Sequence, residues 1–178
     1  MIFNEVIGLE GVPDSEDVIF RKAVRAVVFN EENRLVMVKS SNKDYRFPGG
    51  GLEDDELQLE TLRREALEES GVVIKEDVQL IGIVEERRRS FEVEDAYFVM
   101  RSTYYLCQVK EYGDVQLEEY EKELGFTPAE IEIEDAYSRN LEILEGQPNR
   151  VNPCVERDTL VLKYLIDNKE ELLKMGSV

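Results

Sequence analysis

The chain of 178 residues has the length of one domain and can bury a core without disulfides or metals as supports. It is strongly acidic, with 40 Asp and Glu against 22 Lys and Arg, no histidine, and a formal net charge of -18. The absence of histidine excludes Ser-His and Cys-His nucleophile pairs and an imidazole general base. The acidity argues against a protein that coats nucleic acid, because phosphate backbones are held by Lys and Arg. Any chemistry must rest on carboxylates, which favour a hard cation with oxygen ligands.

Cysteine usage and hydropathy predict the compartment. Cys107 and Cys154 are too few for a disulfide framework and predict buried structural thiols. No stretch approaches the ~18 apolar residues of a membrane span. Residues 1–6 lack the pattern of a signal peptide. We therefore expect a cytoplasmic protein without a membrane partner.

The predicted elements begin with residues 1–20, a lead-in that forms an extra strand, a dimer arm or a cap over the site. Runs of strand formers predict strands at 24–29, 35–38, 78–84, 97–109 and 131–133, the first two as a hairpin. Polar loops are predicted at 40–46 and 147–153, and a very acidic connection at 111–123. Helices are predicted at 57–70 (ended by Gly71), 134–144 and 155–173. This mixture favours one domain over 1–178, either α+β or a layered α/β/α arrangement.

The informative segment covers residues 50–72. Glu65, Glu68 and Glu69 stand at positions i, i+3 and i+4, so on a helix they share one face. The three charges repel one another, and Mg²⁺ bound between them would relieve the repulsion. The ordinary alternative is a solvated acidic face. The glycine-rich turn before the helix favours the metal site, because it lets the backbone approach a metal or a phosphate.

The same segment resembles the Nudix box. That motif is a glycine, five residues, Glu, seven residues, Arg-Glu, an aliphatic, any residue, Glu-Glu, any residue, a glycine and an aliphatic. The matching positions are Gly50, Glu56, Arg64, Glu65, Ala66, Glu68, Glu69, Gly71 and Val72. The order of strands around the box also resembles the Nudix family, over about residues 20–170. The resemblance implies a Nudix-type α/β/α sandwich with a mixed central sheet.

The resemblance also implies an activity. Nudix enzymes hydrolyse the pyrophosphate bond of a nucleoside diphosphate linked to another group, X, with Mg²⁺ or Mn²⁺. The expected partner is a small nucleotide, such as a nucleotide sugar, ADP-ribose or a nucleoside triphosphate. This chemistry suits a chain without histidine, because a metal lowers the pKa of the attacking water and a carboxylate completes proton removal. X stays open, since specificity lies outside the box.

The resemblance assigns roles residue by residue. The implied metal ligands are Gly50 (through its carbonyl), Glu65, Glu68 and Glu69. Glu56 and Arg64 are implied to be an ion pair that orients the loop and the helix.

The general base has two possible sources. It is either Glu65 or Glu68 of the box, or an acid of the later loop, which offers Glu118, Glu119, Glu121 and Glu123. We choose Glu121 from that loop. A solvated loop charge is the alternative interpretation of each of the four.

Arg87, Arg88 and Arg89 form the densest basic run. On a strand, Arg87 and Arg89 point to one side and Arg88 to the other. Arg87 and Arg89 are candidates for binding substrate phosphate or sugar. Pairing with neighbouring glutamates is an equally good interpretation.

Other functions remain to be compared. A module of the same fold that senses a nucleotide without cleaving it is the alternative, although a sensor has no need of a complete ligand set. A broad enzyme for noncanonical nucleoside triphosphates is a variant of the leading hypothesis. Removal of a 5′ pyrophosphate from RNA is disfavoured by the net charge, so nucleic acid is not the expected partner. A homodimer is left open.

Overall fold

The strands and helices follow the apolar pattern of the chain. The computed structural model describes residues 1–12, 17–146 and 152–176. Its strands are β1 (Phe3–Gly8), β2 (Val18–Phe29), β3 (Leu35–Lys39), β4 (Tyr45–Arg46), β5 (Val72–Ile74), β6 (Gln79–Arg89), β7 (Tyr97–Tyr112) and β8 (Thr127–Ile131). Its helices are α1 (Gln58–Ser70), α2 (Glu119–Glu123), α3 (Ile133–Gly146), α4 (Pro153–Asp167) and α5 (Lys169–Met175). Within these described ranges, no helix is long and apolar enough to cross a bilayer.

The sheet is mixed, as predicted. Its strands follow the order β1-β6-β7-β2-β3-β4, while β5 pairs with β7 and β8 pairs with β3. β1 runs parallel to β6, and β2 runs parallel to β7 along its whole length. The β2–β3 and β6–β7 pairs are antiparallel, and the first of them is the predicted hairpin. The strand order places β2 inside the sheet, between β7 and β3, and the second half of β2 is covered on both faces.

Strand β2 shows how both faces are covered. Successive side chains point to opposite faces of a sheet. Val24, Ala26 and Val28 therefore pack on one side, in a cluster with Leu62 and Ala66 of α1. The opposite side packs in a second cluster with apolar residues of α3, α4 and α5. Each fully buried Leu or Val contributes roughly 1.5–3 kcal/mol. Helices on both faces confirm the predicted α/β/α sandwich.

Helix α1 confirms the predicted helix over 57–70. It ends where Gly71 adopts a left-handed φ of 72° and donates its N–H to the Leu67 carbonyl at 2.8 Å. Only glycine adopts this conformation without steric cost, so the helix must end there.

Several predicted elements differ in the structure. The helix expected over 155–173 is broken at Asn168, whereas the edge strand β1 in the lead-in is one of the alternatives predicted for residues 1–20. Asn168 has φ of −120° and ψ of 17°, and its side-chain amide donates to the Tyr164 carbonyl. Ile133 begins α3 rather than ending a strand, and the acidic connection contains the end of β7 and all of α2. Residues 13–15 and 147–151 lie outside the described residues.

A buried ionic network connects α4 to the face of the sheet opposite α1. Arg157 donates to Glu86 of β6 and to Asp158, each at 2.9 Å. Asp158 also accepts the Tyr104 hydroxyl at 3.1 Å and the Phe47 N–H at 3.4 Å. The network therefore reaches the segment that follows β4, where the loop of the predicted box begins.

We expect Arg157→Ala to lower the free energy of unfolding by about 3–5 kcal/mol, because it leaves Glu86 and Asp158 buried without their cation. Urea denaturation followed by circular dichroism measures the change. Arg139→Ala is the matched control, since the Arg139–Glu142 pair is exposed and contributes less than about 1 kcal/mol. Equal stability of the two variants would contradict a structural role for the network.

Candidate active site

The glycine loop, residues 47–51, lies along the edge of β2. The Val24 N–H donates to the Gly50 carbonyl at 3.0 Å. Gly49 has a φ of 143°, and a Cβ there would collide with the Val24 carbonyl. Any other residue would be strained at this position and would push the loop from the strand. The glycines therefore bring the loop backbone against the sheet.

One residue of this loop, Gly49, connects the sheet to α1. The Gly49 N–H donates to Glu69 Oε2 at 2.7 Å, and the Gly49 carbonyl accepts from the Arg25 guanidinium. The Nε atom of Arg25 is buried and has no hydrogen-bond partner among the described residues. Arg25 thus fixes the loop and adds a positive charge near the helix.

Helix α1 presents different residues to the sheet and to the loop. Leu62 and Ala66 pack on the sheet, while Glu65 and Glu69 lie against the glycine loop. These two glutamates are only 8% and 4% exposed. A Cβ on Gly50 would collide with the Glu65 carboxylate. The missing side chain at Gly50 is therefore what admits the carboxylate.

Glu121 of α2 joins these two glutamates. Ligand oxygens of Glu65, Glu69 and Glu121 all lie within 4.8 Å of one another. Glu121 is 2% exposed, and it accepts the Glu118 N–H at 2.7 Å and the Tyr120 hydroxyl at 2.9 Å. The loop acid selected from the sequence is thus brought beside two of the predicted ligands. We call Glu65, Glu69 and Glu121 the carboxylate cluster.

The electrostatics of the cluster follow from its burial. Desolvation raises the pKa of Glu69 to about 8, and the charges of Glu65 and Glu121 act in the same direction. The Gly49 N–H and Arg25 oppose this shift without cancelling it. Burial also raises the pKa of Glu65, against the neighbouring Arg64. The raised pKa values of Glu65 and Glu69 indicate that the positive charge near these two carboxylates does not offset their burial.

Arg64 and Glu56 form the predicted pair. Arg64 Nε and Nη2 donate to the two Glu56 oxygens, each at 3.0 Å. This bidentate contact lowers the pKa of Glu56 to about 2 and raises that of Arg64. Arg64 Nη1 also donates to Glu65 at 2.9 Å, so the pair orients one member of the cluster.

Glu68 lies outside the cluster. Its carboxylate accepts from Arg64 at 3.0 Å instead. Each helical residue is rotated by about 100° from the one before, so Glu68 and Glu69 diverge by that angle even though each lies near Glu65. Glu121, predicted as a general base from the later loop, lies beside Glu65 and Glu69 instead.

An open cleft of about 750 Å³ adjoins the cluster. It is lined by Phe20, Arg21, Lys22, residues 50–56, Arg64, Glu65, Glu118 and Tyr120. Of the cluster, Glu65 is the member that reaches the cleft wall. The cleft therefore joins the acidic site to the cations Arg21 and Lys22 and to two exposed aromatic rings.

The two predicted substrate arginines are not among the residues that line this cleft. Arg87 forms an ion pair with Glu85 at 2.7 Å, and Arg89 stacks on Tyr97 at 4.2 Å from the ring centroid. Both lie on β6, two strands away from β2.

Several site residues escaped sequence reasoning. Arg25 had one signal, a single cation inside a run of strand formers. Arg21, Lys22 and Tyr120 had none, because only the pairing of the glycine loop with β2 and the position of α2 bring them to the cleft.

Comparisons with known proteins identify the family of the chain. The family model of the NUDIX domain matches residues 19–147. Nudix hydrolase 13, mitochondrial, of Arabidopsis thaliana is 43% identical over 72 residues, covering 39% of this chain and 35% of that protein. Nudix hydrolase 12, mitochondrial, of the same plant is 44% identical over 72 residues, covering 39% and 34%. The chain thus spans about a third of the length of the curated relatives it matches.

A solved structure supports the fold. The NUDIX hydrolase from Nitrosomonas europaea superposes with a TM-score of 0.52 at 20% identity, over 77% of this chain and 84% of that one. Since the family model covers well over half of the 178 residues, the chain belongs to the Nudix family.

Proposed function

We propose that the protein hydrolyses the pyrophosphate bond of a nucleoside diphosphate derivative with the help of Mg²⁺ or Mn²⁺. The observation that carries this proposal is the carboxylate cluster, in which three buried acids from two helices converge beside a glycine loop and an open cleft. Membership of the Nudix family supports the reaction class. A nucleotide sugar, ADP-ribose or a nucleoside triphosphate is the proposed small substrate, and the cytoplasm is the proposed location.

The donor set fits a divalent cation. Mg²⁺ and Mn²⁺ take oxygen ligands, and the cluster offers carboxylate oxygens within 4.8 Å of one another. The raised pKa of Glu69 reflects a charge deficit that a cation would remove. Glu65, Glu69 and Glu121 would hold the ion, together with the Gly50 carbonyl at the edge of the loop. We assign no ligand role to Glu68, because it pairs with Arg64.

The protein's own residues divide the remaining tasks. When bound, the ion would neutralise the diphosphate and lower the pKa of the attacking water. Glu65 lines the cleft and would take the proton from that water. Glu121 has hydrogen bonds on both oxygens and serves to complete the ligand set. Arg64 and Glu56 hold Glu65 in place.

The open end of the cleft would bind the substrate. Arg21 and Lys22 are exposed cations of β2, suited to phosphate oxygens. Phe20 and Tyr120 are about half-exposed rings, on which a base can stack.

We expect Glu69→Gln to lower kcat by roughly 10²- to 10³-fold while leaving the circular dichroism spectrum unchanged, because it removes a charge from the ligand set. Product release from ADP-ribose, nucleotide sugars, dinucleoside polyphosphates and nucleoside triphosphates is measured with Mg²⁺ and with a chelator. Glu119→Gln is the control, since Glu119 is 84% exposed on α2. Near wild-type turnover of Glu69→Gln would refute the ligand assignment. No metal-dependent product from any substrate would favour the nucleotide sensor.

The metal-free protein should lose stability as the pH rises. The carboxyl of Glu69 keeps its proton up to about pH 8 when folded but ionises near pH 4.5 when unfolded. Unfolding therefore releases a proton between these values, and the free energy of unfolding falls as the pH rises through them. Denaturant titrations in a chelator from pH 5 to 9 should show this slope in the wild type and a smaller one in Glu69→Gln. Equal slopes would contradict the raised pKa.

Gly50→Ala should weaken Mg²⁺ binding by about 10- to 100-fold, because the new methyl group displaces the Glu65 carboxylate. Calorimetric titration of the folded variant with Mg²⁺ measures the affinity. Gly51→Ala is the matched control, since the nearest atom to its Cβ is 3.8 Å away. If both alanine variants bind Mg²⁺ as the wild type does, the close approach of Gly50 to Glu65 has no part in the metal site.

A further inference from the structure

A cationic surface lies on the sheet beside the cleft. Because Val24, Ala26 and Val28 face α1, alternation places Lys22 and Phe20 on that same side of β2. The β2–β7 register sets Lys22 beside Arg101, and the β6–β7 register sets Arg101 beside Glu85. Arg87 and Arg89 lie two and four residues after Glu85 on β6, so they point to the same side of the sheet as Glu85. We call this surface the basic face; it comprises Phe20, Lys22, Glu85, Arg87, Arg89 and Arg101.

The charge of the basic face is opposite to that of the whole protein. It carries four cations and one acid, in a chain of net charge -18. Lys22 and Arg89 are exposed, and Arg101 is half-exposed. The side chain of Lys22 has no ion-pair partner among the described residues. The basic face therefore offers a local excess of cations to an anion, beside a cleft that Glu53, Asp54 and Asp55 also line.

The two central arginines of the basic face are preorganised by one acid. Glu85 is buried and accepts from Arg87 at 2.7 Å and from Arg101 at 2.8 Å, through different oxygens. These contacts lower the pKa of Glu85, so it is ionised and neutralises one of the two guanidiniums. The other positive charge stays uncompensated, and each guanidinium keeps further N–H donors for a ligand.

The basic face is continuous with the cleft. Phe20 and Lys22 line the cleft and belong to the basic face at the same time. From Lys22 the surface extends roughly 10 Å across two strands and roughly 13 Å along them to Arg89, by ordinary sheet spacing. Beyond Arg89 the β6–β7 turn carries Glu92, Glu94 and Asp95, which would repel a longer anion. The basic face is thus a bounded surface that is large enough to contact several phosphate groups.

We propose that the basic face binds a chain of phosphates that extends beyond the scissile pyrophosphate of the substrate. The proposal rests on the proposed function of the cleft, and it names polyphosphate-containing nucleotides as the preferred substrate class. Lys22 receives the anion at the cleft, and the arginines bind the phosphates that follow. Duplex or long single-stranded nucleic acid does not fit as well, because the acidic turn closes the far end of the surface.

Inorganic tripolyphosphate tests the basic face without any turnover. Calorimetric titration in a chelator at low salt should show binding that Lys22→Gln and Arg89→Gln each weaken roughly three- to tenfold. Arg88→Gln is the matched control, because Arg88 lies on the same strand but faces the opposite side, over the Phe98 ring at 4.0 Å. Lys22 and Arg89 carry no buried ion pair, so their variants should remain folded. Unchanged binding in both variants, or an equal loss in Arg88→Gln, would overturn the proposal.

A kinetic comparison identifies the source of the phosphates. In Arg89→Gln, the KM for a dinucleoside pentaphosphate should rise roughly three- to tenfold, while the KM for ADP-ribose and both kcat values stay unchanged. An equal rise for both substrates would refute a site for the phosphate extension. Binding of 5′-triphosphate RNA that strengthens with RNA length would assign the basic face to nucleic acid instead. Because tripolyphosphate binding needs no hydrolysis, an inactive enzyme would refute the proposed function and leave the basic face to be judged by binding alone.

Discussion

The site depends on the burial of three carboxylates at one point. Glu65, Glu69 and Glu121 approach one another within 4.8 Å and are shielded from water. Desolvation raises the pKa of Glu69, as do the charges of its two neighbours, and burial also raises the pKa of Glu65. The pKa of Glu69 stays raised despite the donors on Gly49 and Arg25, so these donors hold the carboxylate in position without compensating its charge. Such a cluster is preorganised for a cation.

The scaffold holds this unfavourable arrangement by fixing each part independently. Leu62 and Ala66 anchor α1 on one face of the sheet, while hydrogen bonds from β2 fix the glycine loop. On the opposite face, Asn140 of α3 exchanges two hydrogen bonds of 2.8 Å with the backbone of Tyr45 in β4. Asp158 of the Arg157 network accepts the N–H of Phe47, which directly follows that strand. Elements on both sides of the sheet therefore determine where the loop meets the cluster.

Local patterns predicted the parts of the site that lie within one element. Residues 50–72 predicted α1, its glycine end and the position of Glu65 and Glu69 on one side of the helix. The Glu56–Arg64 pair was implied by the resemblance to the Nudix box. Glu121 was selected as a candidate general base from its loop alone, whereas its distance from Glu65 and Glu69 depends on where α2 docks. The pairing of Glu68 with Arg64 was not predicted. Arg87 and Arg89 were correctly expected to share one side of a strand. Their distance from the cleft depends on the order of the strands, which the sequence does not predict.

Long-range pairing explains the other differences. The lead-in has little apolar alternation, and β1 forms because β6 offers it a parallel edge. The break at Asn168 lies in a segment whose apolar spacing suits one continuous helix. There the side chain of Asn168 bonds the Tyr164 carbonyl and competes with the next helical turn.

The distribution of charge resolves an apparent conflict between an acidic protein and an anionic substrate. On the proposed function, the carboxylate cluster would repel phosphate in the absence of a cation, whereas Lys22 and the arginines of the basic face would attract phosphate independently of that cation. Both groups lie on the α1 side of the sheet, joined by the cleft. In this proposal, an anionic substrate would be attracted by the basic face and would react beside the carboxylate cluster. The net charge of -18 then bears on solubility. The electrostatic field that a substrate would meet is set by the charges within about a Debye length, which include a few residues of β2, β6 and β7.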